Sequence, residues 1–451
     1  MILRDVEVDG RPGVDVRIER GGIAQIGRGL RGPDELDGQG GALIPGLVDH
    51  HIHLFGLAAR ADSVVLDGVT DARGFAARIE TTLVERPPGA WVRVTGYHET
   101  IAGQLTRAAL DDLAPAHRVR VQHQTGALWV LNSLAWASLG PEPPPGSDPD
   151  KGWLWRADAW LRGQLAPDPP PLAPIGGKLA GYGITALTDA SVTTDAASAA
   201  RLAEAHREGA LPQRLTLMSG APLEAPADGA FAVGPVKVLL DDADLPDLDD
   251  FADRIGGARS QGRAVAVHCV TAGELALTLA AFESAGARPG DRIEHGGVIP
   301  RAAIAQLKAL GLTVVTQPAF VRERGDRYLA QVDPAEQPDL YRCASLRTAG
   351  VPVAGSSDAP YASPDPWAGI AAAIERRTLA GRTLGAAERV DAAAALAMYL
   401  TAPAEPGGSP RRVAVGAPAD LCLLKVPLQE ALATPSAELV RATLVGGRVV
   451  G

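Results

Sequence analysis

The residues best able to do chemistry lie in the run Pro45-Gly-Leu-Val-Asp-His-His-Ile-His-Leu54, where an apolar stretch ends in a His-x-His pair. Alternate side chains of a strand point to one face, so the imidazoles of His51 and His53 are expected to converge. Two convergent neutral imidazoles suit a divalent metal ion. His50 is expected to point the opposite way and to serve packing or orientation. The alternative is that all three histidines are ordinary core or surface residues.

Three more candidate ligands stand at the ends of predicted strands: His268 after Val265-Ala-Val, His295 after Arg292-Ile-Glu, and Asp358 after Gly355-Ser-Ser. The two histidines are 295 − 268 = 27 residues apart, about one βα unit, which predicts adjacent strands. Asp358 offers a carboxylate that can bind a metal or act as general base on an activated water. Each residue alone has a plain structural explanation, but together they indicate a metal-dependent hydrolase.

Lys237 lies inside the apolar run Gly234-Pro-Val-Lys-Val-Leu-Leu, where an unpaired ammonium is costly. It precedes the His268 strand by one unit. One interpretation is a lysine that extends its charged end to the strand margin. The other places Lys237 against metal ions, where addition of CO₂ converts it to a bridging carbamate.

Strand-like runs alternate with helical patterns through most of the chain, which predicts an α/β fold with a parallel sheet. So many repeats favour a closed (β/α)₈ TIM barrel. The predicted strands are Ala42 to Asp49, Trp91 to Gly96, Val119 to His123, Thr185 to Asp189, Val236 to Leu240, Ala264 to His268, Arg292 to His295, Leu312 to Gln317 and Val351 to Ser356.

Both ends of the chain are rich in short β-strands, with turn signals such as Gly446-Gly447. This pattern predicts a small β-sandwich domain built from residues 1–42 and 405–451, because chain ends often lie close together. Residues 43–404 are assigned to the barrel. A turn-rich insertion is expected around 141–174.

Composition narrows the function. The 451 residues carry a formal net charge of −10, so binding to nucleic acid or to an anionic membrane surface is not expected. The three cysteines are far apart, and the first residues lack a signal-peptide core. We therefore expect a cytoplasmic enzyme with a small-molecule substrate. Neither a GxSxG serine-hydrolase elbow nor a GxGxxG dinucleotide motif after the first strand is present.

These residues in this order resemble the amidohydrolase superfamily. The resemblance covers nearly the whole chain and rests on the PGLVDHHIH run, the lysine of the fourth barrel strand, two later strand-end histidines and a final aspartate. Finer signs are similar to the YtcJ-like branch, amidohydrolase family 3, which includes N-substituted formamide deformylase. These signs are Trp129-Val-Leu-Asn132-Ser, Thr316-Gln-Pro318 and the stretch from Leu346 to Pro360 followed by Asp365-Pro366.

The resemblance implies a ligand set for one or two metal ions, usually zinc. His51, His53 and Asp358 would hold the more buried ion. His268 and His295 would hold the second, and an N6-carboxylated Lys237 would bridge the two. Asp358 would also be the catalytic base of amide hydrolysis.

Substrate contacts are expected from the loops that follow the strands. The candidates are Tyr97, His98, His123, Trp129, Asn132, Gln317 and Arg322. For each of them a structural role is an equal alternative: packing for Trp129, helix capping for Asn132, a solvated face for Arg322. Two other functions stay open with the same fold, namely a deaminase or cyclic imide or lactone hydrolase, and a non-catalytic interaction protein. The oligomeric state is also open, with a homodimer as one option.

Overall fold

The computed structural model describes residues 1–140, 142–165 and 170–450. The chain divides into two compact units, one formed by Met1–Leu54 with Leu172–Gly451 and the other by Phe55–Pro171. Parts of the predicted insertion around 141–174, namely residue 141 and residues 166–169, lie outside the described residues. The second unit is much larger than that insertion, and it follows the first barrel strand in the chain.

Eight parallel strands form one sheet in the first unit and follow one another in chain order, so the first and last strands are its two edges. Those edges are joined where the last strand ends, because the Asp358 N–H donates to the His51 carbonyl at 2.8 Å and the His53 N–H to the Ala359 carbonyl at 2.8 Å. The predicted TIM barrel is therefore confirmed. Its strands are Leu47–Ile52, Ile184–Asp189, Arg214–Ser219, Ala232–Val238, Val265–Cys269, Arg292–His295, Thr313–Thr316 and Val353–Gly355.

Helices follow most barrel strands and present apolar faces to the sheet. Of the described helices, none is long and apolar enough to cross a lipid bilayer. The α-helices of this unit are Ala173–Gly181, Ala196–Arg207, Leu248–Ser260, Ala272–Ala285, Ala303–Ala309, Ala319–Gln331, Ala344–Ala349, Pro366–Glu375, Ala392–Ala397 and Leu428–Ala433. Short 3₁₀ turns occupy Gln337–Asp339, Ala386–Glu388 and Ala437–Leu439.

The strands of the two chain ends form two four-stranded sheets that share one apolar core. One sheet is ordered Gly22–Gly27, Arg11–Glu19, Ile2–Val8, Glu35–Asp37, and the other Arg448–Val449, Val440–Val445, Leu421–Leu424, Leu43–Pro45. The expected β-sandwich from both termini is thus present. The boundaries 1–42 and 405–451 stay a proposal for this domain, to which the strand Leu43–Pro45 also belongs.

Gly46 separates the sandwich from the barrel. The single strand predicted for Ala42 to Asp49 is wrong, because Leu43–Pro45 pairs in the sandwich and Leu47–Ile52 in the barrel. A Cβ atom at Gly46 would lie 2.0 Å from Cγ2 of Thr185 in the second barrel strand, so no larger residue fits this crossing point. The change of sheet therefore occurs at a glycine.

The second unit has a five-stranded sheet of its own, ordered Trp153–Trp155, Leu128–Leu131, Arg118–His123, Trp91–Tyr97, Val64–Val65. The last three strands of this order run parallel to one another. The runs Trp91 to Gly96 and Val119 to His123 thus belong to this sheet, and the prediction that residues 43–404 alternate within one barrel is wrong for them. The helices are Leu54–Ala61 at the boundary, Ala72–Val84, Glu99–Ala102, Arg107–Leu113, Ser133–Ala137 and Asp158–Gln164.

Candidate metal centre

Three side chains at or just after the ends of the first and last barrel strands meet at the carboxyl end of the barrel. Asp358 Oδ1 lies 3.1 Å from His53 Nε2 and 3.4 Å from His51 Nε2. Zinc bonds of about 2.0–2.1 Å separate tetrahedral ligand atoms by roughly 3.3 Å. Both distances to Asp358 therefore match a shared tetrahedral ion, and all three atoms lie within 4.8 Å of one another.

Buried polar atoms without protein partners also indicate a metal ion between these side chains. Among the described residues, His51 Nε2, Lys237 Nζ and Asp358 Oδ1 are buried and accept or donate no hydrogen bond. Leaving such atoms unsatisfied costs about 1–3 kcal/mol each, more for charged groups. A divalent cation would satisfy the imidazole and the carboxylate at once, so the residues present fit a metal ion.

His295 and Asp358 reach the site through an unusual backbone conformation. Their φ angles are +69° and +54°, in the left-handed region that residues other than glycine rarely adopt. The His295 ring centroid lies 4.8 Å from that of His51 and 4.5 Å from that of His268. Backbone strain of this kind persists where the surroundings enforce it, and it clusters at functional sites.

The turn after His268 is held by a capping box. The Thr271 hydroxyl accepts a hydrogen bond from the Glu274 N–H at 3.1 Å, and Glu274 Oε2 accepts from the Thr271 N–H at 3.0 Å. These reciprocal bonds begin the helix Ala272–Ala285 directly after the strand Val265–Cys269. The strand end that carries His268 is thereby fixed.

The Nδ1 atoms of three candidate ligands are engaged by protein groups. Glu294 bonds His51 Nδ1, the Ser191 hydroxyl lies 3.1 Å from His53 Nδ1, and Gln317 Oε1 lies 2.9 Å from His295 Nδ1. A second partner of this kind fixes the ring orientation and tautomer of a metal-binding histidine. For His51 and His53 it leaves the Nε2 atoms directed at Asp358.

Gln317, predicted to contact substrate, is fully buried, and its amide is engaged on both sides. In addition to His295, it bonds the Ser356 hydroxyl through Nε2 at 2.9 Å. The structure therefore gives Gln317 contacts that orient a candidate ligand.

Glu294 is the functional residue that our sequence reasoning missed. It is completely buried and also accepts a hydrogen bond from Arg292 Nε at 2.5 Å. Arg292 in turn donates to the His50 carbonyl at 3.1 Å. The signal was present in the sequence, because two residues of opposite charge, spaced to share one face, interrupt a buried strand.

Burial favours the neutral, metal-binding form of three candidate ligands, His51, His268 and His295. Burial first, and then the nearby Lys237 charge, lower the pKa of His51 well below its ordinary value. Burial also lowers the pKa of His268 to about 4 and that of His295 well below its usual range. A neutral imidazole offers a lone pair to a metal ion at neutral pH.

Lys237 lies on the fourth barrel strand, between the strand of Arg214–Ser219 and that of Val265–Cys269. Its side chain is buried, and burial lowers the pKa of its amine. A buried amine that is easily deprotonated is the form that reacts with CO₂. The placement is therefore compatible with the expected carbamate.

We expect Glu294→Gln to weaken metal binding about 10–100-fold, the range found for partners of metal-binding histidines. Glutamine keeps the size of the side chain but loses the charge that holds the His51 N–H. Equilibrium competition with a chromogenic chelator measures the effect.

The matched control is Glu388→Gln. Glu388 is a buried glutamate that accepts from Arg342 at 2.6 Å and lies outside the cluster just described. Equal metal affinities of the two variants would show that Glu294 has no specific role at His51.

The structure gives most of the predicted substrate residues other contacts. Asn132 is buried: Oδ1 accepts from the Val119 and Ala135 N–H groups at 3.0 Å each, and Nδ2 donates to the carbonyls of Ala114 and His117. It caps the helix Ser133–Ala137, which is the structural alternative considered for it, and a substrate contact at Asn132 stays a prediction. Trp129 is also buried, packed in an apolar cluster.

Tyr97, His98 and His123 lie at the carboxyl ends of the two parallel strands Trp91–Tyr97 and Arg118–His123 in the second unit. Tyr97 donates its hydroxyl to the Gly103 carbonyl at 2.8 Å, and His98 caps the helix Glu99–Ala102. Arg322 lies in the first unit on the helix Ala319–Gln331, with Glu375 at 3.9 Å.

Comparison with known proteins gives one family and several relatives. The family model described as "Amidohydrolase family" matches residues 34–451. The chain is 26% identical over 472 aligned residues to N-substituted formamide deformylase of Arthrobacter pascens, covering 87% of this chain and 86% of that protein. It is 23% identical over 402 residues to putative amidohydrolase YtcJ of Bacillus subtilis, covering 76% of this chain and 75% of that protein.

Among solved structures, an uncharacterized metal-dependent hydrolase from Pyrococcus furiosus superposes with a TM-score of 0.74. The match covers 93% of this chain and 97% of that chain at 21% identity. At this identity the likeness bears on the fold alone.

Proposed function

The chain belongs to the amidohydrolase family, and on that premise we propose that it hydrolyses the C–N bond of a small N-substituted amide at a divalent metal ion. The observation that carries the proposal is the convergence of His51 Nε2, His53 Nε2 and Asp358 Oδ1 at ligand spacing, two of them buried without a protein partner. The relatives include an N-substituted formamide deformylase, which favours an acyl group as small as formyl.

We propose zinc as the ion, because an imidazole-rich set with one carboxylate suits it. His51, His53 and Asp358 would hold one ion. His268 and His295 would hold a second, with carboxylated Lys237 between them. When bound, the metal supplies a Lewis acid that polarises the substrate carbonyl and lowers the pKa of water from 15.7 toward about 7.

The protein's own residues supply orientation and proton transfer. Asp358 has two carboxylate oxygens, so one can face the metal ion while the other takes a proton from the attacking water. The new C–O bond forms as that proton leaves. When the C–N bond breaks, Asp358 returns the proton to the leaving nitrogen. Glu294 and Gln317 hold the imidazoles in place throughout.

A substrate panel tests this function. We expect the zinc-loaded protein to release amine from N-formyl or N-acetyl derivatives of arylalkyl and alkyl amines, detected with an amine-reactive dye. Hydantoins, lactones and nucleobase-like heterocycles form the rest of the panel. Turnover only of a cyclic substrate, or ammonia release from a heterocycle, would replace amide hydrolysis with the alternative activity. Metal below about 0.1 ion per chain after careful purification would indicate a non-catalytic barrel.

A further inference from the structure

The second compact unit contains a cavity of about 230 Å³ at the carboxyl ends of its parallel strands. Apolar and aromatic side chains make most of its wall, including Tyr97, Leu105, Val121, Trp153 and Trp155. Its polar lining residues are Glu99, Gln104 and His123, and no lysine or arginine is among the lining residues described. Cavities for drug-sized ligands measure about 300–1,000 Å³, so this one suits a smaller molecule.

At this cavity, Glu99 is hydrogen-bonded to His123 and has the ring of His98 nearby. Glu99 Oε2 lies 3.1 Å from Nε2 of His123 and 3.9 Å from Nε2 of His98. The ligand atoms of the three residues all lie within 4.8 Å of one another, a spacing that also occurs at metal sites. The hydrogen bonds made by Nδ1 of each histidine show whether its Nε2 atom can bind a metal ion.

Those bonds argue against a metal. The Thr100 N–H donates to His98 Nδ1 at 3.2 Å, and the Thr125 N–H donates to His123 Nδ1 at 3.2 Å. A backbone N–H only donates, so each Nδ1 presents a lone pair and each neutral ring carries its proton on Nε2. Both protonated Nε2 atoms face Glu99, and neither has a lone pair for an ion. The backbone N–H of Glu99 and the hydrogen bond from His123 lower the pKa of the Glu99 carboxyl.

The result is an ionised carboxylate beside an aromatic wall. Such a wall binds organic cations through the faces of its rings. The unit already contains one example, because Lys151 Nζ lies 4.7 Å from the centre of the Trp153 ring. The Lys151 ammonium is also paired with Asp148 at 3.3 Å. Trp155, in contrast, is 46% exposed and can therefore be reached by a ligand.

We propose that this cavity binds a small apolar or aromatic molecule with a protonated amino group. The apolar part lies among Tyr97, Trp153 and Trp155, and the ammonium lies at Glu99. An amine is one of the two products of amide hydrolysis, so identifying the ligand with that product rests on the proposed function. Binding itself does not depend on catalysis.

The test is a ligand-observed NMR titration of the full chain with phenethylammonium, in the metal-stripped and the zinc-loaded form. 2-Phenylethanol and 3-phenylpropionate serve as the neutral and anionic comparators. We expect the ammonium to bind several-fold tighter than the alcohol, the carboxylate to bind weakest, and added salt to reduce only the preference for the ammonium. Binding to the metal-stripped protein keeps this result separate from any failure of the hydrolase assignment.

Two variants assign the contacts. Glu99→Gln should weaken the binding of phenethylammonium about fivefold, which is the upper end for an exposed ion pair. It should leave the affinity for 2-phenylethanol unchanged. Trp155→Ala should weaken the binding of both phenethylammonium and 2-phenylethanol. The control is Glu80→Gln, on an exposed face of the helix Ala72–Val84, which should change neither affinity.

Three results would overturn the proposal. One is the absence of saturable binding by any of the three probes. The second is equal affinity for ammonium and alcohol, or equal behaviour of Glu99→Gln and Glu80→Gln. The third is zinc binding that is abolished by Glu99→Gln in a protein whose barrel histidines are replaced, because it would make the cluster a metal site.

Discussion

Replacing Asp358 with asparagine is expected to lower kcat/KM for the preferred amide by about 10³-fold or more. The substitution removes the group that would move the proton between water and the leaving nitrogen, and it weakens one metal ligand. The fold should persist, because asparagine has the same shape and Oδ1 of Asp358 has no hydrogen bond to lose. Steady-state amine release and far-UV circular dichroism measure the two effects.

Asp420→Asn is the matched control for this variant. Asp420 is also a buried aspartate of the first unit, but it pairs with Arg214 at 2.7 Å and belongs to the segment that precedes the sandwich strand Leu421–Leu424. We expect the control to lose some stability and keep its turnover. Near-normal activity of Asp358→Asn would contradict the role assigned to its carboxylate.

Lys237→Met is expected to move stability and activity in opposite directions. Methionine fills nearly the same space without an amine, so the metal-free protein should gain about 1–3 kcal/mol in its free energy of unfolding, as when an unsatisfied buried polar group is removed. Turnover should fall about 100-fold or more, because removing part of a metal centre and its supports costs at least that much. Urea denaturation and metal content per chain are the measurements.

The control for Lys237 is Lys308→Met, at an exposed position on the helix Ala303–Ala309. Exposed substitutions usually change stability by less than about 0.5 kcal/mol. If Lys237→Met destabilised the metal-free protein and left turnover intact, Lys237 would be a structural lysine with a partner that supports the fold.

Much of the barrel could be predicted because metal-binding residue types stand at the ends of its strands. His51, His53, His268, His295 and Asp358 each follow an apolar run, and parallel strands of one sheet bring their carboxyl ends to the same edge. The alternation of side chains along a strand explains why His51 and His53 converge. The same rule does not predict which side chains reach the site from the sixth strand. There Glu294 contacts His51, and a positive φ at the next residue brings the His295 ring to the same site.

Membership of a sheet could not be predicted from apolar runs. The runs at Trp91 and Thr185 are both predicted as barrel strands, yet only the second joins the barrel, and the barrel strand Arg214–Ser219 is not among the predicted ones. What decides between them is which strand pairs with which, a contact between residues far apart in the chain. The second unit therefore escaped prediction, although its turn-rich end near residue 141 was noticed.

Roles of polar residues were the least predictable part of the site. Asn132 and Gln317 match the motif of the family branch, but their amides bond protein groups. A sequence shows that a polar residue stands in a motif, and only the folded chain shows which atoms its side chain meets. Glu294 is the converse case, a functional contact outside the quoted motif.

The most direct test of the central claim is anomalous X-ray diffraction from zinc-loaded crystals, recorded above and below the zinc absorption edge. We predict a peak within about 2.3 Å of His51 Nε2, His53 Nε2 and an Asp358 oxygen together, as expected for zinc bonded to nitrogen and oxygen. A fully loaded protein with no peak between these three side chains would contradict the metal centre and the hydrolytic function built on it.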